Sequence, residues 1–172
     1  MPWQDIFIDP IKLSKNLFLD TKVREGRGDI SILRINKKKI FLINESYNSN
    51  PLSLNSALQN FDKIKANNNK KHILLGDMLE LGKHSKKLHK SMAQTINMIE
   101  INKVHIIGNH IKETYKKINK TKKGIILKND SELNDLIKND LKDGDYLMVK
   151  GSNSTGLFNF ASKLKKRGIN AL

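Results

Sequence analysis

Residues 72–82 read His72-Ile-Leu-Leu-Gly-Asp-Met-Leu-Glu-Leu-Gly82, a short apolar run that stops at a glycine, turns polar and precedes a helical pattern opening at Ser85. Two other stretches have the same form. One ends in Glu45-Ser-Tyr-Asn-Ser-Asn-Pro51 and the other in Lys150-Gly-Ser-Asn-Ser-Thr-Gly156. Each polar string stands where an apolar strand ends and a helix begins. In an open α/β sheet, ligands bind beyond the carboxyl ends of the strands, where loops and helix N-termini gather. The three strings are therefore expected to converge on one surface, although they lie far apart in the chain.

The rhythm on either side supports that sheet. Ile30–Ile35 and Lys39–Ile43 alternate and are joined by Asn36-Lys-Lys, which predicts a β-hairpin. Pro51 suits the first turn of a helix, where its missing N–H costs nothing. Leu54, Ala57, Leu58, Phe61 and Ile64 follow at helical spacing. A second helix from Ser85 to about Ile99 carries Leu88, Met92, Ile96 and Ile99. Strands are expected at Val104–Ile107, Gly124–Leu127 and Tyr146–Val149. Helices are expected at 111–118, from a cap at Asn129–Ser131 through Leu141, and at Leu157–Leu164. Short, continuous apolar strands alternating with helices predict a Rossmann-like α/β fold. This is an open, mostly parallel sheet with helices on both faces and right-handed crossovers, preceded by the β-hairpin. Ahead of it, Ile11, Leu13, Leu17 and Leu19 form an amphipathic stretch too short to bury a face alone, followed by a polar break at Arg24-Glu-Gly-Arg-Gly28.

Composition bounds the function. With 172 residues and 38% apolar content the chain can hold one core, and no apolar run approaches the ~20 residues of a membrane span. There is no cysteine, which excludes disulfides, zinc–thiolate sites and thiol catalysis. The first residues, MPWQDIFIDP, lack the basic start and apolar stretch of a signal peptide, so a cytoplasmic location is the expectation. The net charge of +15 is spread along a chain also rich in Asn and Ile, with few aromatics among the basic residues. That pattern disfavours a nucleic-acid surface and fits a small anionic ligand better.

Each string also has a structural reading. Asp77 and Glu80 could hold a magnesium ion or an amine; alternatively, Asp77 caps its local turn and Glu80 complements a helix start. Lys150-Gly151-Ser152 resembles part of a phosphate loop, but the residue five before Lys150 is Asp145, so the Walker pattern fails. The alternative is a βα turn in which Gly151 relieves strain and Ser154 caps the last helix. Asn50 and Pro51 are accounted for by a capped helix start, whereas Glu45, Tyr47 and Asn48 are not. Arg27, between Gly26 and Gly28, can approach a phosphate closely or be a solvated loop arginine.

Taken in order, the Gly26-Arg27 pair, ESYNSNP, GDMLELG followed by His89, and the terminal KGS string resemble the C-terminal domain of the Mur ligases over about residues 24–168. The likeness is greatest to the branch that adds D-alanyl-D-alanine to UDP-N-acetylmuramoyl-tripeptide in peptidoglycan precursor synthesis. The resemblance implies one domain of an ATP-dependent amide ligase that closes over a central ATPase domain. Residues 1–23 would be a remnant of that preceding domain and 24–172 the C-terminal domain. By position, Arg27 would contact ATP phosphates, Glu45 would face the ribose, and Asn48 and Asn50 would shape the nucleotide-facing loop. Asp77, Glu80 and Ser154 would lie toward the dipeptide, and Lys150 and Ser152 toward the reacting centre, with the Lys150 ammonium projecting over the sheet edge. ATP and Mg2+ would be held mainly by the central domain, and no metal site is assigned to this chain. UDP-N-acetylmuramoyl-tripeptide would be bound through the other domains.

The sequence departs from that pattern at two places. Asn44-Glu45 replaces the acidic pair that often precedes Ser-Tyr, and Asn153 replaces the arginine common after Lys-Gly-Ser. No Gly-Lys-Ser/Thr phosphate loop occurs in the 172 residues, which implies that the chain alone is inactive. A split gene, an excised domain, and a truncated non-catalytic paralogue that binds nucleotide or dipeptide or docks on a ligase all remain compatible with the sequence.

Overall fold

The computed structural model describes residues 24–35 and 37–169; the expected domain remnant at 1–23 lies outside them. The strands are β1 (Asp29–Ile35), β2 (Lys38–Asn44), β3 (Lys71–Leu75), β4 (Lys103–Ile107), β5 (Lys123–Leu127) and β6 (Tyr146–Lys150). The helices are α1 (Pro51–Asp62), α2 (Ser85–Met98), α3 (Lys112–Lys117), α4 (Asp130–Asp135) and α5 (Leu157–Ile169). They form one six-stranded sheet in the order β1-β2-β6-β3-β4-β5. The β1–β2 hairpin is antiparallel, and every other pairing is parallel. The predicted α/β architecture, with its leading hairpin, is what forms.

Side-chain alternation along the strands feeds two cores. Ile43, Ile73, Leu75, Val104, Ile106 and Met148 pack under α1 and α2. Residues of opposite parity, including Leu42, Leu74, Leu147 and Val149, pack under α4 and α5. Local chemistry sets the helix ends. Asn50 caps α1 by accepting from the Ser53 N–H at 2.8 Å, while Ser53 Oγ accepts from the Asn50 N–H at 3.0 Å. The Lys122 ammonium closes α2 by donating to the Ile96, Asn97 and Ile99 carbonyls. The helix expected to run through Leu141 instead leaves α geometry after Asp135 and finishes as a π-turn at Leu136–Asp140. That wider turn buries both Leu136 and Ile137.

At the amino ends of the central strands lies a buried polar chain that no sequence motif announced. The Ile125 N–H donates to His105 Nδ1 at 3.1 Å, so the His105 proton sits on Nε2 and is shared with His72 Nδ1 at 3.1 Å. His72 Nε2 in turn faces the Asp145 carboxylate at 3.5 Å. Burial lowers the pKa of both rings, that of His105 to about 3. Among the described residues, the outer strands β1 and β5 each pair on one side only. Ile30 and Ile32 on β1 are 64% and 53% exposed, and Ile125 and Ile126 on β5 also face solvent.

Candidate functional site

The three polar strings follow β2, β3 and β6, which are adjacent in the sheet with β6 between the other two. All three therefore open at the same carboxyl edge, as expected. Backbone bonds join them there. The Glu45 N–H reaches the Val149 carbonyl at 2.9 Å, the Gly76 N–H the Lys150 carbonyl at 2.8 Å, and the Ser152 N–H the Asp77 carbonyl at 3.0 Å.

Arg27 is delivered by a turn that only small residues permit. Gly26 and Gly28 have φ of +81° and +92°, and a Cβ on Gly26 would lie 2.8–2.9 Å from Phe158 and Tyr47. The turn is tied to the first string by the Gly28 N–H on the Asn44 carbonyl (2.8 Å) and the Tyr47 N–H on the Gly26 carbonyl (3.0 Å). The Arg27 guanidinium lies 4.3 Å above the Tyr47 ring, which meets Phe158 edge-on. It is exposed and forms no ion pair among the described residues. A cation on an aromatic platform, with its N–H fork unspent, is suited to an anionic oxygen.

Lys150 contradicts the expectation of a projecting ammonium. It is 2% exposed and turns inward under the first string. Its Nζ donates to the Asn48 carbonyl at 2.8 Å and the Glu45 carbonyl at 3.2 Å, and lies 3.7 Å from Glu45 Oε2. Two hydrogen bonds and an ion pair turn the ammonium inward, away from the surface where a ligand would lie. Burial lowers the Lys150 pKa and raises that of Glu45, each against the opposing pull of the other's charge. Ser152 is committed in the same way: its Oγ accepts from the Leu79 N–H at 2.9 Å and donates to the Ser49 carbonyl at 3.3 Å. Of two readings of the turn that follows, one is made specific and one is corrected. Gly151 is needed for space rather than for an unusual φ, because a Cβ would meet Leu157 and Thr155 at 2.9 Å. Ser154 does not cap α5; it is exposed in a 3₁₀ turn over Asn153–Thr155, and α5 starts from the Gly156 carbonyl, which accepts from Phe160.

In the second string, Asp77 caps a turn other than its own. Its oxygens accept from the Asn109 and Ile111 N–H groups, at 3.0 and 2.7 Å, in the loop after β4. Gly108 lets that loop approach, since a Cβ there would collide with the carboxylate. His89, buried in α2, shapes the string from below. Its Nδ1 donates to the Ser85 carbonyl at 2.8 Å, which leaves Nε2 to accept from the Met78 N–H at 3.0 Å. Burial lowers its pKa, consistent with the neutral ring that this bond requires. Glu80 is exposed and holds a left-handed backbone (φ +63°), a strained state for a non-glycine residue. Of the residues singled out from sequence, Arg27, Tyr47, Asn48, Asn50, Glu80, Asn153 and Ser154 reach the outer surface, whereas Asp77, Lys150 and Ser152 are buried.

The family model described as "Mur ligase, glutamate ligase domain" matches residues 32–153 of the chain. The chain belongs to the Mur ligase family. Among its relatives, the UDP-N-acetylmuramoyl-tripeptide–D-alanyl-D-alanine ligase of Buchnera aphidicola from Acyrthosiphon pisum is 34% identical over 85% of this chain. That of Rickettsia prowazekii is 31% identical over 89%. This Mur ligase chain spans about a third of their length, 30% and 33% respectively. MurF from Acinetobacter baumannii shares the fold with a TM-score of 0.68 at 21% identity, over 92% of this chain and 34% of that one. MurF from Thermotoga maritima, solved in complex with ADP, gives 0.65 at 21% identity, over 89% and 33%.

The departure at Asn44 now has a structural consequence. Asn44 is buried, and its Oδ1 accepts from both the N–H and the hydroxyl of Ser46. Its Nδ2 has no partner among the described residues. A carboxylate at this position would make the same bonds without leaving a buried donor unpaired.

Proposed function

We propose that the chain is the C-terminal domain of an ATP-dependent amide ligase that joins D-alanyl-D-alanine to UDP-N-acetylmuramoyl-tripeptide in the cytoplasm, in the synthesis of a peptidoglycan precursor. The observation that carries the reading is the convergence of all three strings on one sheet edge, with Arg27 uncommitted above it, in a chain whose relatives bear that name. In such a reaction the tripeptide carboxylate takes the γ-phosphoryl group of ATP, releasing ADP, and the dipeptide amine then attacks the acyl phosphate carbonyl, expelling phosphate and losing a proton as the amide forms. This chain's part is to bind and orient. The exposed Arg27 fork fits phosphate oxygens, and the half-buried Glu45 carboxylate fits a ribose hydroxyl. Asn48 and Asn50 line the loop between them, while Glu80 and Ser154 offer an acceptor and a hydroxyl to the incoming dipeptide. Among the described residues no group of three acidic or histidine side chains could hold a metal. We assign Mg2+ and most of the ATP contacts to the rest of the ligase, as the family resemblance implies.

The test is phosphate release by the purified chain, alone and then with the remaining ligase domains supplied in trans. The chain alone is expected to turn over no ATP, because it lacks the phosphate loop. The reconstituted pair should release phosphate only when both tripeptide nucleotide and D-alanyl-D-alanine are present. In that pair Arg27→Ala should reduce turnover far more than Arg34→Ala, which alters only the hairpin. Turnover by the chain alone, or equal activity with an unrelated amine, would overturn the reading.

A further inference from the structure

Lys150 and Ser152 sit between two loops that the proposed function assigns to different substrates. From the strand in the middle, the Lys150 ammonium holds the Glu45 and Asn48 carbonyls of the first string. Two residues on, the Ser152 hydroxyl bonds one loop on each side: it accepts from Leu79 in the second string and donates to Ser49 in the first. The Ser152 N–H adds a bond to the Asp77 carbonyl. Ser152 is 5% exposed, and its hydroxyl hydrogen and an oxygen lone pair are both used internally. A group that acts directly on a substrate must reach it, and these two are buried with their hydrogen bonds directed at the loops on either side.

We propose that Lys150 and Ser152 are positioning residues that brace the Glu45–Asn50 and Gly76–Gly82 loops into one unit, so that the nucleotide-facing and dipeptide-facing surfaces are set together. The brace rests on the proposed function for the substrates it names, but not for its existence. Because Ser152 Oγ is the common atom, a disturbance of either loop is passed to the other through one hydroxyl. The Asp77 cap on the loop after β4 and the His89 bond to Met78 hold the second string from its far side. With those supports intact, loss of the brace should free the two loops from each other without unfolding either.

The experiment is residue-resolved amide exchange by NMR on the full 172-residue chain, comparing wild type with Ser152→Ala. Losing a buried acceptor should speed exchange of the Leu79 amide about tenfold or more. Resonances of both 45–50 and 76–82 should shift, while protection of core amides such as Ile73 and Met148 is kept. If Ser152→Ala does not fold, Ser152→Cys, whose thiol bonds weakly, should show the same pattern at reduced size. Changes confined to one loop, or unchanged Leu79 exchange, would overturn the brace. A second arm uses the reconstituted ligase: Ser152→Ala should raise KM for ATP and for D-alanyl-D-alanine together. A rise in only one, or a fall in kcat alone, would mark Ser152 as a direct substrate contact and also overturn the brace. Should the reconstituted wild-type ligase show no activity, the proposed function fails, and the exchange data still decide the brace.

Discussion

Lys150→Met keeps most of the stem and removes the ammonium, and its cost can be worked from the contacts. Two carbonyls 2.8 and 3.2 Å from Nζ lose a charged donor, and the Glu45 carboxylate loses the cation 3.7 Å away. A hydrogen bond to a charged group contributes roughly 1.5–3 kcal/mol. Removing one partner of a buried pair costs about 3–5 kcal/mol. Against this, methionine need not be desolvated as an ammonium must, which is the effect that already lowers the Lys150 pKa. The net loss is about 2–4 kcal/mol, or roughly 5–15 °C in Tm for a chain of this size. Burial raises the Glu45 pKa and Lys150 opposes it, so the variant's Glu45 should titrate higher still. A carboxyl whose folded pKa is raised loses stability as pH rises, so the gap between variant and wild type should widen above the ordinary carboxylate range. Urea melts at several pH values, with the slope m unchanged, measure both effects. A loss below about 0.5 kcal/mol, typical of an exposed site, would refute the buried, fully engaged ammonium.

Two other perturbations probe opposite ends of the sheet. His105, with a folded pKa of about 3 against ~6.5 unfolded, contributes full stability above pH ~6.5 and loses about 1.4 kcal/mol per pH unit as pH falls, levelling near pH 3. Urea melts of wild type at pH 7 and 5 should therefore differ by about 2 kcal/mol from this residue, and His105→Gln should flatten the dependence; an unchanged slope counts against the buried neutral ring. At the carboxyl end, Glu80→Gly should relieve the left-handed strain and stabilise the chain by about 1 kcal/mol in the same assay, while reducing dipeptide use by the reconstituted ligase. A destabilised Glu80→Gly would mean that the side chain supports the loop.

What the sequence revealed was local. Apolar strand runs, the Asn50–Pro51 helix start and the Asn129 cap are encoded within a few residues, and all formed where expected. The strings could be placed at one edge because topology alone puts every βα loop there. The direction in which a side chain turns at that edge was not legible. Whether Lys150 faces solvent or tucks under Glu45 depends on partners 105 and 102 residues away. Separation in sequence also hid the His72–His105–Asp145 chain, whose members lie on β3, on β4 and just before β6 and share no motif. His89 carried a signal, its place after GDMLELG in the Mur ligase resemblance, but only the fold shows that its ring holds the Met78 N–H. The Gly151 reading named strain relief but not its source, the close approach of Leu157 and Thr155.

The open outer strands have a practical consequence for the chain in solution. An unpaired strand row with exposed isoleucines is a template for pairing with another molecule. Among the described residues β1 and β5 each present such a row, two sticky borders for the molecule. Mutual repulsion between chains of charge +15 opposes that contact at low ionic strength. Salt shortens the range of the repulsion, from ~10 Å at 0.1 M to ~3 Å at 1 M, and leaves the isoleucines as apolar as before. Self-association should therefore grow with added salt, the reverse of what holds assemblies built on ion pairs, and dilute buffer is the condition that keeps the domain monodisperse.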